Sequence, residues 1–112
     1  MTSLWLRSLR KWKEYVKIVA CAVKRIVPEA QIFLTGGIAE DRATAHSDID
    51  IVVVLPYEST FEKAAELRAR ILEEAEKLGL PFHAPVELHI VSIDMLKRYK
   101  TLKPVEYQSQ NI

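Results

Sequence analysis

One run of the chain, Asp48-Ile49-Asp50-Ile51-Val52-Val53-Val54-Leu55, constrains the fold more than any other. It is dominated by β-branched residues, closes at Pro56, and reads as a strand buried on both faces. Successive strand side chains point to opposite faces, so Asp48 and Asp50 share one face, with Cα atoms about 6.6 Å apart. Two bare carboxylates at the mouth of so apolar a strand repel each other and lose hydration unless a cation joins them. Mg²⁺ suits that position because it takes oxygen ligands, accepts one or two carboxylates, and fills its remaining sites with water and substrate phosphates.

A phosphate cradle precedes the acidic pair. Gln31-Ile32-Phe33-Leu34-Thr35 reads as a short strand, after which Gly36-Gly37 lets the backbone turn sharply into a short helix from Ile38. Without a Cβ in the way, backbone N–H groups can approach an anion there, and a helix start adds a favourable dipole. Alone, a Gly-Gly is a turn and an Asp-x-Asp a weak metal signal; their succession at fixed spacing is the informative feature. A third carboxylate comes from the strand-like run Pro85-Val86-Glu87-Leu88-His89-Ile90-Val91-Ser92, in which Glu87 is the acidic residue. Val86, Leu88 and Ile90 would face the core, leaving Glu87 and His89 together on the opposite side. If the two strands are neighbours, Glu87 reaches the same metals as Asp48 and Asp50; if not, it belongs to the wet face of an edge strand.

This constellation resembles the minimal nucleotidyltransferases of the DNA polymerase β superfamily. Their signature is a Gly-Ser or Gly-Gly after the first strand, about ten further residues, an Asp-x-Asp opening the next strand, and a later strand carrying one Asp or Glu. The stretch FLTGGIAEDRATAHSDIDIVVVLP matches in order and spacing, including Ser47 before Asp48 and the alanines Ala39 and Ala43. With Glu87, the resemblance spans about half the chain.

The resemblance implies two-metal nucleotidyl transfer. Asp48 and Asp50 would hold two Mg²⁺ ions and Glu87 the one that activates an acceptor hydroxyl. Gly36, Gly37 and Ser47 would bind the phosphates of a nucleoside triphosphate. Two departures from the pattern stand out. Gly37 occupies a place where many relatives have serine, losing a donor worth about 0.5–1.5 kcal/mol. Ala39-Glu40-Asp41 stands where relatives often read Ala-Arg-Gly, so an acidic side chain faces a triphosphate unless Glu40 and Asp41 turn to solvent. Arg42 is then the candidate replacement cation, or else the surface partner of Glu40 or Asp41.

The remaining sequence bounds the answer. At 112 residues and 49% hydrophobic content, the chain reads as one domain spanning 1–112, with a single core and no room for a separate acceptor-binding domain. A net charge of +1 gives little electrostatic reason for general nucleic-acid binding. The lone Cys21 excludes an intramolecular disulfide and reads as a buried helix residue in a reducing, cytoplasmic setting. No run reaches transmembrane length, so no membrane role is expected. Neither His nor Cys spacing forms a zinc motif, and no serine or cysteine has a histidine partner for nucleophilic catalysis. His89 is a candidate contact for a nucleotide or a metal-bound water, and His46 for phosphate. His83, in a proline-flanked loop, reads as incidental.

An amphipathic helix is expected over about 4–27, stopped by Pro28. Its apolar stripe includes Trp5, Trp12, Val16, Val19 and Val23, and its other face is basic. That basic face is either simply solvated or a contact for an acidic partner, and Trp5 is the better interface candidate of the two tryptophans. A second helix is expected from a Ser59/Glu62 capping box to Gly79, with Phe61, Ala64, Ala65, Leu67, Ile71, Leu72, Ala75 and Leu78 as its stripe. A short helix after Ser92 would include Met95, Leu96 and Tyr99, and a mobile tail is expected from about 104.

The reading is an α/β (α+β) domain in which a mixed sheet of the polymerase-β palm type carries the site on one side and helices on the other. The connection from the aspartate strand to the Glu87 strand fits either a parallel crossover or an antiparallel return. The resemblance implies transfer of a nucleoside monophosphate, AMP from ATP, to a hydroxyl. It also implies a HEPN-type protein as partner, one of whose tyrosines would be the acceptor, as in small antitoxins of this kind. The alternative is a non-catalytic module that binds nucleotide or scaffolds a helical partner. A third reading builds the acceptor site across a homo-oligomer.

Overall fold

The computed structural model describes residues 3–42 and 47–106, with the side chains of the first helix described from Lys11 onward. Its elements run in the order α1 (Ser3–Ile26), β1 (Gln31–Thr35), α2 (Gly36–Ala39), β2 (Ile49–Leu55), α3 (Phe61–Lys77), β3 (Val86–Ser92), a 3-10 helix (Ile93–Arg98) and β4 (Lys103–Pro104). The four strands form one mixed sheet in the order β3-β2-β1-β4. β1 pairs antiparallel with both β2 and β4, whereas β2 and β3 are parallel. The connection through α3 is therefore the crossover, as a parallel pair requires.

The alternation of β2 explains its central place. Ile49, Ile51, Val53 and Leu55 are buried under the helices, in a core shared with Val19, Val23 and Val27 of the α1 segment and Leu67, Ile71 and Ala75 of α3. Val52 and Val54 face the other way and are buried with Val91 beneath Phe33, Met95, Leu96, Tyr99 and Leu102. The 3-10 helix and the segment after it thus pack on the second face, and α1 and α3 pack on the first. Arg25 on α1 donates to Glu74 on α3 at 3.0 Å, joining the two helices at the surface.

Several local expectations need correction. The cap of α3 is Thr60, not Ser59: the Thr60 hydroxyl accepts from the Lys63 backbone N–H at 3.1 Å, so the helix opens at Phe61. Phe61 does not join the apolar stripe but is 84% exposed, and Ala65 is exposed as well. The element after Ser92 is a 3-10 helix with Tyr99 as its C-cap. Cys21 is free but only half-buried. At the C-terminal side β4 pairs with β1, and the Val105 N–H donates to the Ile32 carbonyl at 2.9 Å. Trp12 packs on the core from α1, with the Lys13 ammonium 5.8 Å from its ring centre. The Trp5 side chain and the tail from Tyr107 lie outside the described residues.

Candidate active site

The site grows from one row across the sheet. Asp50 on β2 is the register partner of Glu87 on β3 and of Thr35 at the end of β1. All three lie on the face opposite the helices, at the end of the sheet that the 3-10 helix leaves open. One step along, His89 is the register partner of Val52. Its Nε2 sits 3.3 Å from Asp50 Oδ1 and 3.3 Å from Glu87 Oε1. One donor atom from each of Asp50, Glu87 and His89 lies within 4.8 Å of the others. The expected proximity of Glu87 to Asp50 is thus present, and it follows from the parallel pairing of their strands.

Asp48 sits differently. Strand β2 begins at Ile49, whose N–H donates to the Pro85 carbonyl at 2.7 Å, and Asp48 lies exposed just before it. Among the described residues, the donor group compact enough to share one ion contains Asp50, Glu87 and His89 but not Asp48.

The two glycines have separate reasons to be glycine. Gly36 follows β1 with φ +76°, in the region that penalises a Cβ. A Cβ there would lie 2.3 Å from Asp50 Oδ2, so the missing side chain is what lets the Asp50 carboxylate lie against this turn. Gly37 is less constrained: a Cβ would meet Ser47 Oγ at 3.7 Å and the Arg42 carbonyl at 3.9 Å, both ordinary contacts. Ser47 is therefore close to the glycine turn.

Arg42 is engaged by Glu40, which accepts from its Nε at 2.9 Å and from Nη2 at 2.6 Å. The Arg42 hydrogen bonds hold the Glu40 carboxyl below the usual carboxylate range, against a smaller opposing effect of burial. Glu40 is thus turned onto Arg42 rather than into free solvent, while Asp41 is exposed with φ 60°. His83 is exposed, its ring edge against Phe82, and His46 lies outside the described residues.

Sequence reasoning missed the strap that follows the 3-10 helix. Tyr99 sets its ring against His89 at 5.9 Å between centres and 70° between planes. Burial raises the Tyr99 hydroxyl above its usual pKa; Arg98 pulls it back and the Asp50 carboxylate adds to the rise. Two residues on, the Thr101 carbonyl accepts from the buried Thr35 hydroxyl at 2.6 Å, tying the strap to the end of β1. The only sequence signal was the apolar spacing of Met95, Leu96 and Tyr99, which says that they pack but not on what.

A nucleotidyltransferase domain model matches residues 16–103, which contain every element of this site. The chain belongs to the nucleotidyltransferase domain family. Such domains generally use divalent metal ions, and two carboxylates with an imidazole converging beside a glycine turn are a donor set that fits one. The fold is shared with a crystal structure of a candidate nucleotidyltransferase from Sulfolobus solfataricus, at TM-score 0.65 and 14% identity over 92% of this chain and 89% of that one. A second candidate nucleotidyltransferase superposes at TM-score 0.51 and 24% identity, covering 85% of this chain and 97% of that one. No curated protein matches the chain significantly in sequence. Among the described residues, no helix of this nucleotidyltransferase is long and apolar enough to cross a membrane.

Proposed function

We propose that this nucleotidyltransferase moves AMP from ATP to a hydroxyl, and that the acceptor is a tyrosine of a small helical partner protein of the HEPN type. The observation that carries the reading is the register pairing of Asp50 with Glu87, next to the turn made by Gly36 and Gly37. The acceptor oxygen forms a bond to the α-phosphorus, the bond from that phosphorus to the β-bridging oxygen breaks, and pyrophosphate leaves with the electron pair; the hydroxyl proton passes to solvent. Two Mg²⁺ ions, held by Asp50, Glu87 and an Asp48 drawn in from its exposed position, would supply Lewis-acid activation of the attacking oxygen and neutralise charge on the leaving one.

The chain's own residues do the positioning. Gly36 and Gly37 leave backbone N–H groups accessible to the β and γ phosphates, and Ser47 adds a hydroxyl beside them. Arg42 serves the triphosphate only by exchanging its Glu40 partner for a phosphate oxygen, a swap between two charge-assisted pairs. The lone Cys21 and the small net charge support a cytoplasmic protein whose acceptor is not bulk nucleic acid.

A second reading is a module that binds nucleotide or partner without chemistry. It is favoured by Asp48 standing outside the compact donor group and by the Glu40–Arg42 pair beside the glycine turn. Mass spectrometry separates the two. Co-expression with a HEPN partner should add the mass of one AMP to a partner tyrosine, and Asp50→Asn should remove that addition while the fold persists. A partner that is bound and neutralised with no added mass leaves the module reading standing and sinks transfer.

A further inference from the structure

His89 stands where the sheet brings two carboxylates to one point, and no step above uses it. A protonated ring nitrogen bonded to a carboxylate approaches to about 2.7–2.9 Å, and one N–H points at one acceptor. His89 Nε2 instead lies 3.3 Å from Asp50 Oδ1, a long hydrogen bond, and 3.3 Å from Glu87 Oε1, equally far from both. Bonds of about 2.0–2.2 Å to one small ion place neighbouring ligand atoms about 3.0–3.5 Å apart, so the spacing of the imidazole from each carboxylate is that of ligands sharing an ion, and all three donor atoms lie within 4.8 Å of one another. The ring also meets Tyr99, which packs edge-on against it, and Val52 is the register neighbour of His89 on β2. Only 30% of the His89 side chain is exposed, so the imidazole has few alternative partners.

We infer that His89 is a direct metal ligand, making this a mixed nitrogen–oxygen site that prefers divalent transition ions to Mg²⁺. The inference rests on the metal-dependent reading above and revises its ion, with a transition ion in place of Mg²⁺ at the position that His89 reaches. Mg²⁺ takes hard oxygen donors and gains little from an imidazole, whereas Co²⁺ and Zn²⁺ bind imidazole well. Each carboxylate serves either class of ion; the nitrogen discriminates between them.

The test uses the metal alone with the full chain, so that it needs neither nucleotide nor acceptor. Co²⁺ and Mg²⁺ are titrated calorimetrically into the protein and into His89→Val, His89→Asn and Asp50→Asn, with folding checked by circular dichroism. The unsubstituted protein should bind Co²⁺ at least about tenfold more tightly than Mg²⁺. His89→Val should lose about tenfold or more in Co²⁺ affinity and change Mg²⁺ affinity by less than about threefold, within the range that separates a ligand from its loss. A hyperfine-shifted imidazole N–H proton in the Co²⁺ NMR spectrum should disappear with the same substitution.

Equal losses for both ions would make His89 a residue that only orients the carboxylates, and would overturn the inference. So would restoration of the Co²⁺ preference by His89→Asn, which keeps a hydrogen-bond donor but no ring nitrogen. Asp50→Asn should weaken both ions together. If it leaves both unchanged, the metal reading beneath the inference fails, and the inference with it; loss in Asp50→Asn without any Co²⁺ preference overturns the His89 assignment alone.

Discussion

Replacing Gly36 by alanine should damage the site more than the fold. The residue sits at φ +76°, and a Cβ would lie 2.3 Å from Asp50 Oδ2, 3.2 Å from its Cγ and 3.4 Å from its Cβ. The left-handed conformation alone costs an alanine about 1–2 kcal/mol, which for a chain of this size lowers Tm by about 4–15 °C. The contact is a different matter, because a carboxylate is a movable end group: Asp50 relieves the overlap by shifting about 1 Å out of its present geometry with Glu87 and His89. Displacements of that size at a reacting centre cost about a hundredfold in rate. Gly37→Ala meets only ordinary contacts and should stay within about 0.5 kcal/mol of the parent. Thermal unfolding followed by circular dichroism, paired with divalent-ion titration, measures both effects. If Gly36→Ala unfolds and binds metal as the parent does, the close packing of Asp50 on this turn is wrong.

Other substitutions probe the frame around the site. Thr60→Ala should cost about 1 kcal/mol in urea unfolding through loss of the α3 cap, whereas Ser59→Ala should stay within about 0.5 kcal/mol; the reverse order would restore the Ser59 frame. Thr35→Val removes the donor to the Thr101 carbonyl and should cost about 1–3 kcal/mol, with faster hydrogen exchange at the Val105 amide than in the centre of β2. Glu40 has a folded pKa below its ordinary 4.5 because of Arg42. The stability it contributes is therefore present above pH 4.5 and lost as pH falls through the folded value. Glu40→Gln should accordingly be less stable than the parent at neutral pH and converge with it in acid; a gap that widens in acid would contradict the pairing.

The parts of the fold that were legible are those written in local pattern. β1 is legible to the residue because Gly36 ends it abruptly, and β2 to within one residue, because its β-branched run has no helical period. Asp48 marks the edge of the pattern: alternation assigns it the face of Asp50, but backbone pairing starts at Ile49, so the strand does not fix where its carboxylate sits. Ser59 and Thr60 offer two hydroxyl caps one residue apart, and nothing local chooses between the frames that follow. Phe61 fits the core stripe by spacing, yet as the first residue of α3 it has no preceding turn to enclose it. That Glu87 and His89 share a face was readable from period two alone. Their closeness to Asp50 was not, since it depends on β3 pairing parallel with β2 in one register out of several. The Tyr99–Thr101 strap was invisible for the same reason, its partners being distant in sequence.

The central claim is that the row of Asp50 and Glu87 beside the Gly36 turn binds a nucleoside triphosphate through a divalent cation. It is tested most directly by titrating the purified chain with each of the four nucleoside triphosphates, with and without a divalent ion, alongside Asp50→Asn. The account predicts binding that requires the ion and is lost in Asp50→Asn, with ATP preferred. Binding that persists in Asp50→Asn or without the ion would contradict it.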